Sequence, residues 1–369
     1  MISCDHFIYT AAPVKGKSTY QITAKSIEIS ENVIGELLPH IFPTDVDLTE
    51  FKESRSLFIL KDGKIAYCRV RNIGIGYDGR SGTLYSHIIL ITVEDFKKIN
   101  NDSRVLNDYY IERPSTVGKL EKINVIPKEI PINFNLLNQY SLILRDIFSS
   151  LILKQKIALI EKNENELIQE ILAVIPKSLR LLSFNTFLDD PQKQSRYQFV
   201  MIKKHLKRNL QDSFLIINPK ITNVELHTKK SKTLFDESLD YLVGTVYFRD
   251  SDKLLQLNNN FEKIVNPDLK NKLIFVTNCS KFTYATDEKL KQKYADVILE
   301  LMKEFDIETR SEYFNKVKSY SKQYEILSHK LQNTGDPSIT LAEAFLLLPA
   351  NLMMDLYQTF FGIRKKTDD

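Results

Sequence analysis

The feature that most constrains the fold is a pair of β-prone runs joined by a short turn. Residues 56–60 and 65–70 are rich in strand-forming side chains, and the segment 61–64 between them has Asp62-Gly63 at its centre. An Asp-Gly pair permits the positive φ angles of a type I′ turn, which connects adjacent antiparallel strands. The sequence therefore predicts a β-hairpin here, and with it an antiparallel sheet in the first third of the chain.

A glycine-rich segment, residues 74–82, follows the hairpin. It holds four of the chain's 11 glycines, and a buried strand is expected directly after it, over residues 83–91. A P-loop requires a lysine after its last glycine, whereas Gly82 is followed here by Thr83. A dinucleotide-binding motif requires a helix where the strand is expected. The segment is therefore interpreted as a structural turn, and no cofactor is expected.

Four residues of this region are assigned to the structural motif: Gly79, Arg80, Gly82 and His87. Because His87 lies inside an apolar strand run, we expect it to be buried and hydrogen-bonded rather than catalytic. Asp78 and Arg80 are the candidate binding residues. A hydrolase centred on Asp78, Arg80 and His87 stays open as an alternative, although no catalytic residue is assigned.

The pattern of elements predicts an α+β protein of three parts. Residues 1–125 are expected to form a mostly β N-terminal part, and residues 131–284 a second α+β block. A looser stretch that contains several prolines separates the two. The last part, residues 285–369, shows helical periodicity throughout and is expected to be a helical C-terminal region.

Within the second block, apolar residues crowd nearly every side of a helical wheel from 134 to 160, which is typical of a buried helix. Strand character returns at residues 181–188, 197–202 and 214–217. The pattern at residues 234–248 gives no assignment.

The composition limits the classes of function. The chain has 51 Lys and Arg against 47 Asp and Glu, so its net charge of +4 predicts no strong global attraction to nucleic acid. Cys4, Cys68 and Cys279 are far apart and form no Cys-x-x-Cys spacing, so neither a disulfide framework nor a metal site is expected. The most apolar helical stretch carries four charged residues, and the start lacks the pattern of a signal peptide. A cytoplasmic protein without membrane insertion is expected.

Positive charge is concentrated in one stretch, residues 193–232. It has ten Lys or Arg residues against Asp212 and Glu225. The candidates for a nucleic-acid patch are Lys203, Lys204, Lys207 and Arg208. Aromatic residues are not interleaved as a single-strand stacking surface requires. Nucleic acid is therefore kept as an alternative partner and is not the preferred one.

Several short stretches together resemble a known family. They are Phe7-Ile8-Tyr9-Thr10 with Ser18-Thr19-Tyr20-Gln21, then Asp78-Gly79-Arg80-Ser81-Gly82 leading to His87, and finally Leu182-Ser183-Phe184-Asn185 with Asp190-Pro191. In this order they resemble the N-terminal and middle domains of the GTPase-associated adaptor proteins. The likeness extends over roughly residues 5–195. It implies a non-enzymatic adaptor that associates with a Ras-like or related GTPase in prokaryotic signalling or defence.

Overall fold

The computed structural model describes two compact units. The described residues are 1–301 without 15–16, 43–50, 76–80, 113–117, 161–163, 181, 191–195, 220–231, 265–267, 288–289, 291–292, 295–296 and 299. The first unit is Met1–Ser231 with Val246–Arg249, and the second is Lys232–Thr245 with the residues from Asp250 onward. No helix in the described ranges is long and apolar enough to cross a membrane.

The first unit is built on a large mixed sheet. Its strands are β1 (Ile2–Val14), β2 (Lys17–Lys25), β3 (Glu53–Ile59), β4 (Ile65–Asn72), β5 (Leu84–Ile91), β6 (Gly118–Lys119), β7 (Ile123–Val125), β8 (Ile157–Ile160), β9 (Phe184–Leu188), β10 (Phe199–Ile202) and β11 (Leu215–Ile217). Their order is β11-β8-β10-β9-β3-β4-β5-β1-β2-β6, with β7 paired to β1. β1 to β5 pair in antiparallel fashion, whereas β8 to β11 are parallel to one another.

One strand pair joins the antiparallel and parallel halves into a single sheet. β3 pairs with β9 in antiparallel register, with Ser56 opposite Asn185 and Leu57 opposite Phe184. The sheet is therefore continuous across the stretch near residue 130 at which the sequence placed a boundary. The α+β class is confirmed. Most of the C-terminal region predicted to be helical, residues 285–369, lies outside the described residues.

Helices cover the sheet of the first unit and make up the second unit. They are α1 (Glu31–Ile41), α2 (Val93–Lys98), α3 (Phe134–Gln139), α4 (Ser141–Ile152), α5 (Leu167–Ala173), α6 (Lys207–Leu210), α7 (Leu234–Tyr247), α8 (Ser251–Lys263) and α9 (Leu269–Tyr284). Short 3₁₀ helices span Ser103–Tyr109, Lys177–Leu179 and Lys204–Leu206. The described residues from Leu290 to Leu301 are also helical, and residues 302–369 lie outside the described part.

The hairpin β3–β4 is confirmed, but the turn type expected for it is wrong. The Gly63 N–H donates to the Leu60 carbonyl at 3.0 Å, and the Leu60 N–H donates to the Lys64 carbonyl at 2.7 Å. Only Gly63, with φ +83°, is in the left-handed region, whereas a type I′ turn also requires Asp62 there. The connection is therefore a three-residue loop that ends in a left-handed glycine, and Gly63 alone supplies the conformational freedom.

The continuous helix expected from 134 to 160 is also corrected. The chain forms α3 and α4, turns at Lys154 with φ +56°, and enters β8. β8 is hydrogen-bonded between β10 and β11. Ile157, Ala158 and Leu159 alternate between its two faces and are all buried, so both faces are covered. A strand covered on both faces is a continuous apolar run, which hydrophobic periodicity cannot distinguish from a segment of buried helix.

The two faces of the antiparallel strands differ in chemistry. One face is apolar: Phe7, Phe58, Cys68 and Ile88 lie in one buried cluster with Leu37 and Ile41 of α1. On the opposite face, Arg55 of β3 is paired with Arg69 of β4, which is paired with His87 of β5. We call this the polar face. Because side chains alternate along a strand, the positions two residues away also belong to it.

The second unit is held together by its own core and polar contacts. Leu239, Leu257, Phe261, Leu273 and Val276 are buried in it. Hydroxyl groups also connect α7 to α9, because Thr277 Oγ1 donates to Ser238 Oγ at 2.8 Å and Tyr241 OH lies 2.9 Å from Ser280 Oγ. The segment 234–248, which periodicity left unassigned, is thus almost entirely helix α7.

Candidate functional site

The polar face is stabilised on one side by a hydrogen-bond network around Arg55. The Arg55 Nε–H donates to Glu53 at 2.9 Å, and Nη1 donates to the amide oxygen of Gln169 at 2.9 Å. Gln169, on α5, donates in turn to the Ser103 hydroxyl at 2.9 Å. Every buried member of this network has a partner, so the network fixes α5 and the Ser103–Tyr109 turn against the sheet.

A second buried arginine serves the same structural purpose. Arg104 donates through Nε and Nη2 to the carboxylate of Asp102, and through Nη1 to Glu170 at 2.9 Å. Its remaining donors meet the main-chain carbonyls of Ile130 and Pro131. All five N–H groups of the guanidinium are in use, so Arg104 has none left for a ligand.

His87 forms a closed pair with His6 in the interior. His87 Nε2 lies 2.9 Å from His6 Nδ1, and the Ile111 N–H donates to His87 Nδ1 at 3.3 Å. His6 Nε2 lies 2.7 Å from the Glu121 carbonyl. Only one proton arrangement satisfies all three contacts: His87 Nε2–H donates to His6, and His6 Nε2–H donates to Glu121. Both imidazoles are therefore neutral, and all four ring nitrogens are occupied.

The surroundings keep this pair uncharged. Burial lowers the pKa of His87 to about 3, and the nearby His6 and Arg69 act in the same direction. Burial also lowers the pKa of His6, although its bond to the Glu121 carbonyl and the charge of Asp5 oppose this. His87 is 1% exposed, so the expectation that it is buried and hydrogen-bonded is confirmed.

The glycine-rich segment is described only at its ends. Asp78, Gly79 and Arg80 lie outside the described residues, so their roles stay predictions. At the ends, the Ile73 N–H donates to the Thr83 carbonyl at 2.8 Å, and the Thr83 N–H donates to the Gly74 carbonyl at 3.1 Å. Gly74 has φ +81° and Gly82 φ +80°, a region that favours glycine. Both glycines therefore let the chain leave and re-enter the β4–β5 ladder.

An open cleft of about 560 Å³ lies beside Gly74 on the polar face. We call it the arginine cleft and define it by six of its lining residues: Lys52, Glu53, Arg69, Arg71, Gly74 and Glu112. Arg69 and Arg71 are two residues apart on β4, so both side chains point to the same face of the sheet. Glu53 is directly opposite Arg71 on β3. The β3–β4 register and the alternation of side chains along β4 thus place Glu53, Arg69 and Arg71 together.

Glu53 is the anchor of the cleft. Its Oε2 accepts from Arg69 Nη2 at 2.8 Å and lies 3.9 Å from Arg71 Nε, while Oε1 accepts from Arg55. Burial pushes the pKa of Glu53 upward, but the hydrogen bonds and charges of Arg69 and Arg55 outweigh this, and its pKa is below the ordinary value. Glu53 is therefore a carboxylate at neutral pH. It is hydrogen-bonded to Arg55 and Arg69, and Arg71 lies close to it.

The two arginines of the cleft differ in how firmly they are held. The Arg69 guanidinium lies 4.0 Å from the centre of the Tyr110 ring, a cation–π contact, and its side chain is 19% exposed. Its Nε–H is buried without a hydrogen-bond partner among the described residues. Arg71 is more exposed and donates through Nη1 to Glu112 at 3.2 Å. The cleft thus combines a firmly held arginine with one whose tip, among the described residues, is hydrogen-bonded to a surface glutamate.

Sequence reasoning missed this cleft. The signal available was the alternation of polar and apolar residues on β4, in which Arg69 and Arg71 flank the buried Val70. Glu53 and Tyr110 join them only through strand register and a returning loop. Those pairings are not visible in a linear pattern.

The basic stretch 193–232 does not form one uniform patch in the described structure. Lys203, Lys204, Lys207 and Arg208 lie just after β10, and the last three are exposed. None of the four makes an ion pair with another described residue, and Lys203 Nζ lies 5.4 Å from the Phe187 ring centre. Arg196, in contrast, is bound to Glu36, and residues 220–231 lie outside the described part.

Comparison with known protein families and with curated proteins gives no match for this chain. The site is therefore characterised by its own geometry. That geometry offers a surface cleft with two closely spaced arginines, and a histidine pair that is sealed in the interior.

Proposed function

We propose that this protein is a non-enzymatic adaptor whose partner is a Ras-like or related GTPase in prokaryotic signalling or defence. The class of partner comes from the resemblance across residues 5–195. One structural observation favours binding over catalysis. His87, the one histidine of the alternative hydrolase and its candidate for acid–base work, is buried with both ring nitrogens bonded internally. A general base must lie within hydrogen-bond reach of the proton that it removes from a substrate. His87 does not meet this requirement.

The arginine cleft gives the proposed adaptor a surface for a partner. Arginine is enriched at protein–protein interfaces because its planar guanidinium makes several directed hydrogen bonds and also packs on aromatic rings. Arg69 already packs on Tyr110, and Arg71 is partly exposed beside it. This arrangement supports the proposal without identifying the GTPase.

Affinity purification from native lysate tests the proposed function. The tagged chain should recover a GTPase, identified by mass spectrometry, and the purified chain alone should neither bind nor hydrolyse GTP. An unrelated tagged protein of similar charge serves as the control bait. GTP turnover by the isolated chain, or recovery of the same proteins by both baits in every trial, contradicts the adaptor function.

A second candidate function is nucleic-acid binding through the basic residues after β10. The observation that favours it is the exposure of Lys204, Lys207 and Arg208 without an ion pair to any described residue. Cations that neutralise phosphates release condensed counterions, so such binding weakens steeply with salt. The adaptor proposal predicts at most weak, sequence-independent binding here.

Charge reversal separates the two functions. Lys204→Glu with Lys207→Glu should abolish any weak binding to single- or double-stranded DNA and RNA, measured by fluorescence anisotropy across a salt series. Lys97→Glu with Lys98→Glu reverses the same charge on exposed residues of α2 and serves as the matched control. Tight binding at physiological salt that only the first pair removes makes nucleic acid the principal partner.

A further inference from the structure

We propose that the arginine cleft binds an acidic side chain of a protein partner, whose carboxylate takes the place of Glu112 at Arg71. The proposal rests on the proposed function only in that the carboxylate is carried by a protein. It assigns a binding site and a ligand chemistry to residues that the sequence did not single out.

The cleft is preorganised for a planar anion. Arg69 is fixed from two sides, by the Tyr110 ring at 4.0 Å and by Glu53 at 2.8 Å. Arg71 projects from the same strand face, with its Nε 3.9 Å from Glu53. A guanidinium held in place loses little rotamer freedom when a ligand binds. Arg69 meets this condition, and with Arg71 beside it the two guanidinium groups can bind a carboxylate through paired N–H donors, the geometry in which arginine is strongest.

The charge balance favours an anion with a single charge. The cations of the cleft are Lys52, Arg69 and Arg71, and its carboxylates are Glu53 and Glu112. Glu53 is also neutralised by the buried Arg55, so positive charge is in excess. A phosphate dianion in the place of Glu112 would bring a second negative charge close to Glu53. A carboxylate that replaces Glu112 leaves the balance of the cleft unchanged.

Glu112 is the group that such a ligand replaces. Its side chain is 79% exposed and its contact to Arg71 is a single ion pair at 3.2 Å. Ion pairs this exposed contribute little to stability, so their exchange costs little. Glu53, in contrast, is 14% exposed and bonded to two arginines, and it stays in place. Glu112 thus occupies the position of a partner carboxylate in the free protein.

An exposed apolar residue is next in the chain to a lining residue of the cleft. Ile75 follows the lining residue Gly74 directly and is 71% exposed. A partner segment with an apolar residue near its acidic one removes this side chain from water as the carboxylate binds. Charge and apolar contact together define the ligand as an acidic, partly apolar peptide segment.

Fluorescence anisotropy with a defined probe tests the proposal. The probe is a short fluorescein-labelled peptide in which leucines alternate with glutamates and aspartates, and its control carries glutamine and asparagine instead. The acidic peptide should bind the full-length protein more tightly than the control. Arg71→Gln should weaken binding about tenfold, the factor that corresponds to one charge-assisted hydrogen bond. Arg71→Lys should bind the peptide more tightly than Arg71→Gln but less tightly than the wild type, because lysine keeps the charge and loses the bidentate geometry.

The substitution Glu112→Gln gives a readout in the opposite direction. Removal of the competing carboxylate should tighten binding by about threefold, which is within the range of an exposed ion pair. Glu28→Gln, at an even more exposed glutamate that is paired with Lys25, is the matched control and should change nothing. Circular dichroism of each variant verifies that it is folded.

Four outcomes overturn the proposal. They are equal binding of the acidic and amide peptides, insensitivity to Arg71→Gln, loss of binding through Lys204→Glu with Lys207→Glu instead, and displacement of the probe by inorganic phosphate at concentrations at which acetate has no effect. The two proposals can also fail separately. If the peptide binds as expected and no GTPase is recovered, the binding role of the cleft is supported and the adaptor function is contradicted. If a GTPase is recovered and Arg71→Gln does not weaken its complex, the adaptor function is supported and the binding role of the cleft is contradicted.

Discussion

Mild acidification should destabilise the first unit through the buried histidine pair, and the effect can be worked out for His87. Its pKa is about 3 in the folded protein, against 6.5 in an unfolded chain. Between these values the unfolded state binds more protons than the folded state, so the free energy of unfolding falls as pH falls. The contribution of His87 to this free energy is fully retained above about pH 7 and is lost progressively toward pH 3.

The size of the effect follows from the pKa difference. At pH 7.5 the imidazole is neutral in both states, whereas at pH 5.5 it is protonated in about nine-tenths of unfolded molecules. At one pH unit below its unfolded pKa, each histidine that stays neutral in the folded protein lowers the free energy of unfolding by about 1.4 kcal/mol. His87 should therefore lower the free energy of unfolding by about that amount, and His6 adds a loss in the same direction because its pKa is also lowered.

Urea unfolding followed by circular dichroism, at pH 7.5 and 5.5, measures this change. His87→Gln should be less stable than the wild type at pH 7.5 by about 1–3 kcal/mol, because His6 Nδ1 and the Ile111 N–H lose their partner. It should also lose less stability on acidification. His205→Gln, at an exposed histidine of the same unit, is the control. If His87→Gln loses as much stability between the two pH values as the wild type, the reasoning is refuted.

Two further predictions concern other parts of the first unit. Gly82→Val should lower the free energy of unfolding, measured by urea unfolding, by about 1–3 kcal/mol, because a β-branched residue is strained at φ +80°. Gly35→Ala, within α1 and with open space around a new Cβ, should be neutral or stabilising in the same assay. Arg104→Gln should cost about 3–5 kcal/mol, because Asp102 and Glu170 are left as buried carboxylates without a cation. Lys98→Gln, which breaks an exposed pair with Asp95, should cost at most about 1 kcal/mol. Equal losses in the two charge variants would show that the Arg104 cluster is not held as described.

The elements that the sequence predicted well are those defined by local chemistry. A turn dipeptide between two β-prone runs marks β3 and β4, and the apolar run expected over residues 83–91 is β5, which is buried along its whole length. β8 was missed because a strand that is covered on both faces has no alternation. The hairpin turn type was wrong because Asp62 and Gly63 do not share the backbone conformation that their sequence permits.

The candidate site was beyond the reach of local patterns for a different reason. His87 could be predicted to be buried, but its partner His6 is 81 residues away and reaches it only because β1 pairs with β5. The arginine cleft needs the β3–β4 register to place Glu53 opposite Arg71, and a returning loop to bring Tyr110 under Arg69. Single-sequence reasoning gives the faces of strands, whereas contacts of this kind depend on tertiary register.

The pairing of β3 with β9 also bears on how the chain folds as it leaves the ribosome. β3 is made early, but its partner strand follows about 130 residues later. Until then β3 is an unpaired strand edge on an otherwise assembled hairpin, and such edges readily pair with other chains. Pairings of high sequence separation also form slowly, because the intervening loop must close first. Nascent chains shorter than about 190 residues should therefore be the most aggregation-prone species in synthesis, and a fragment that ends near residue 130 should share this property.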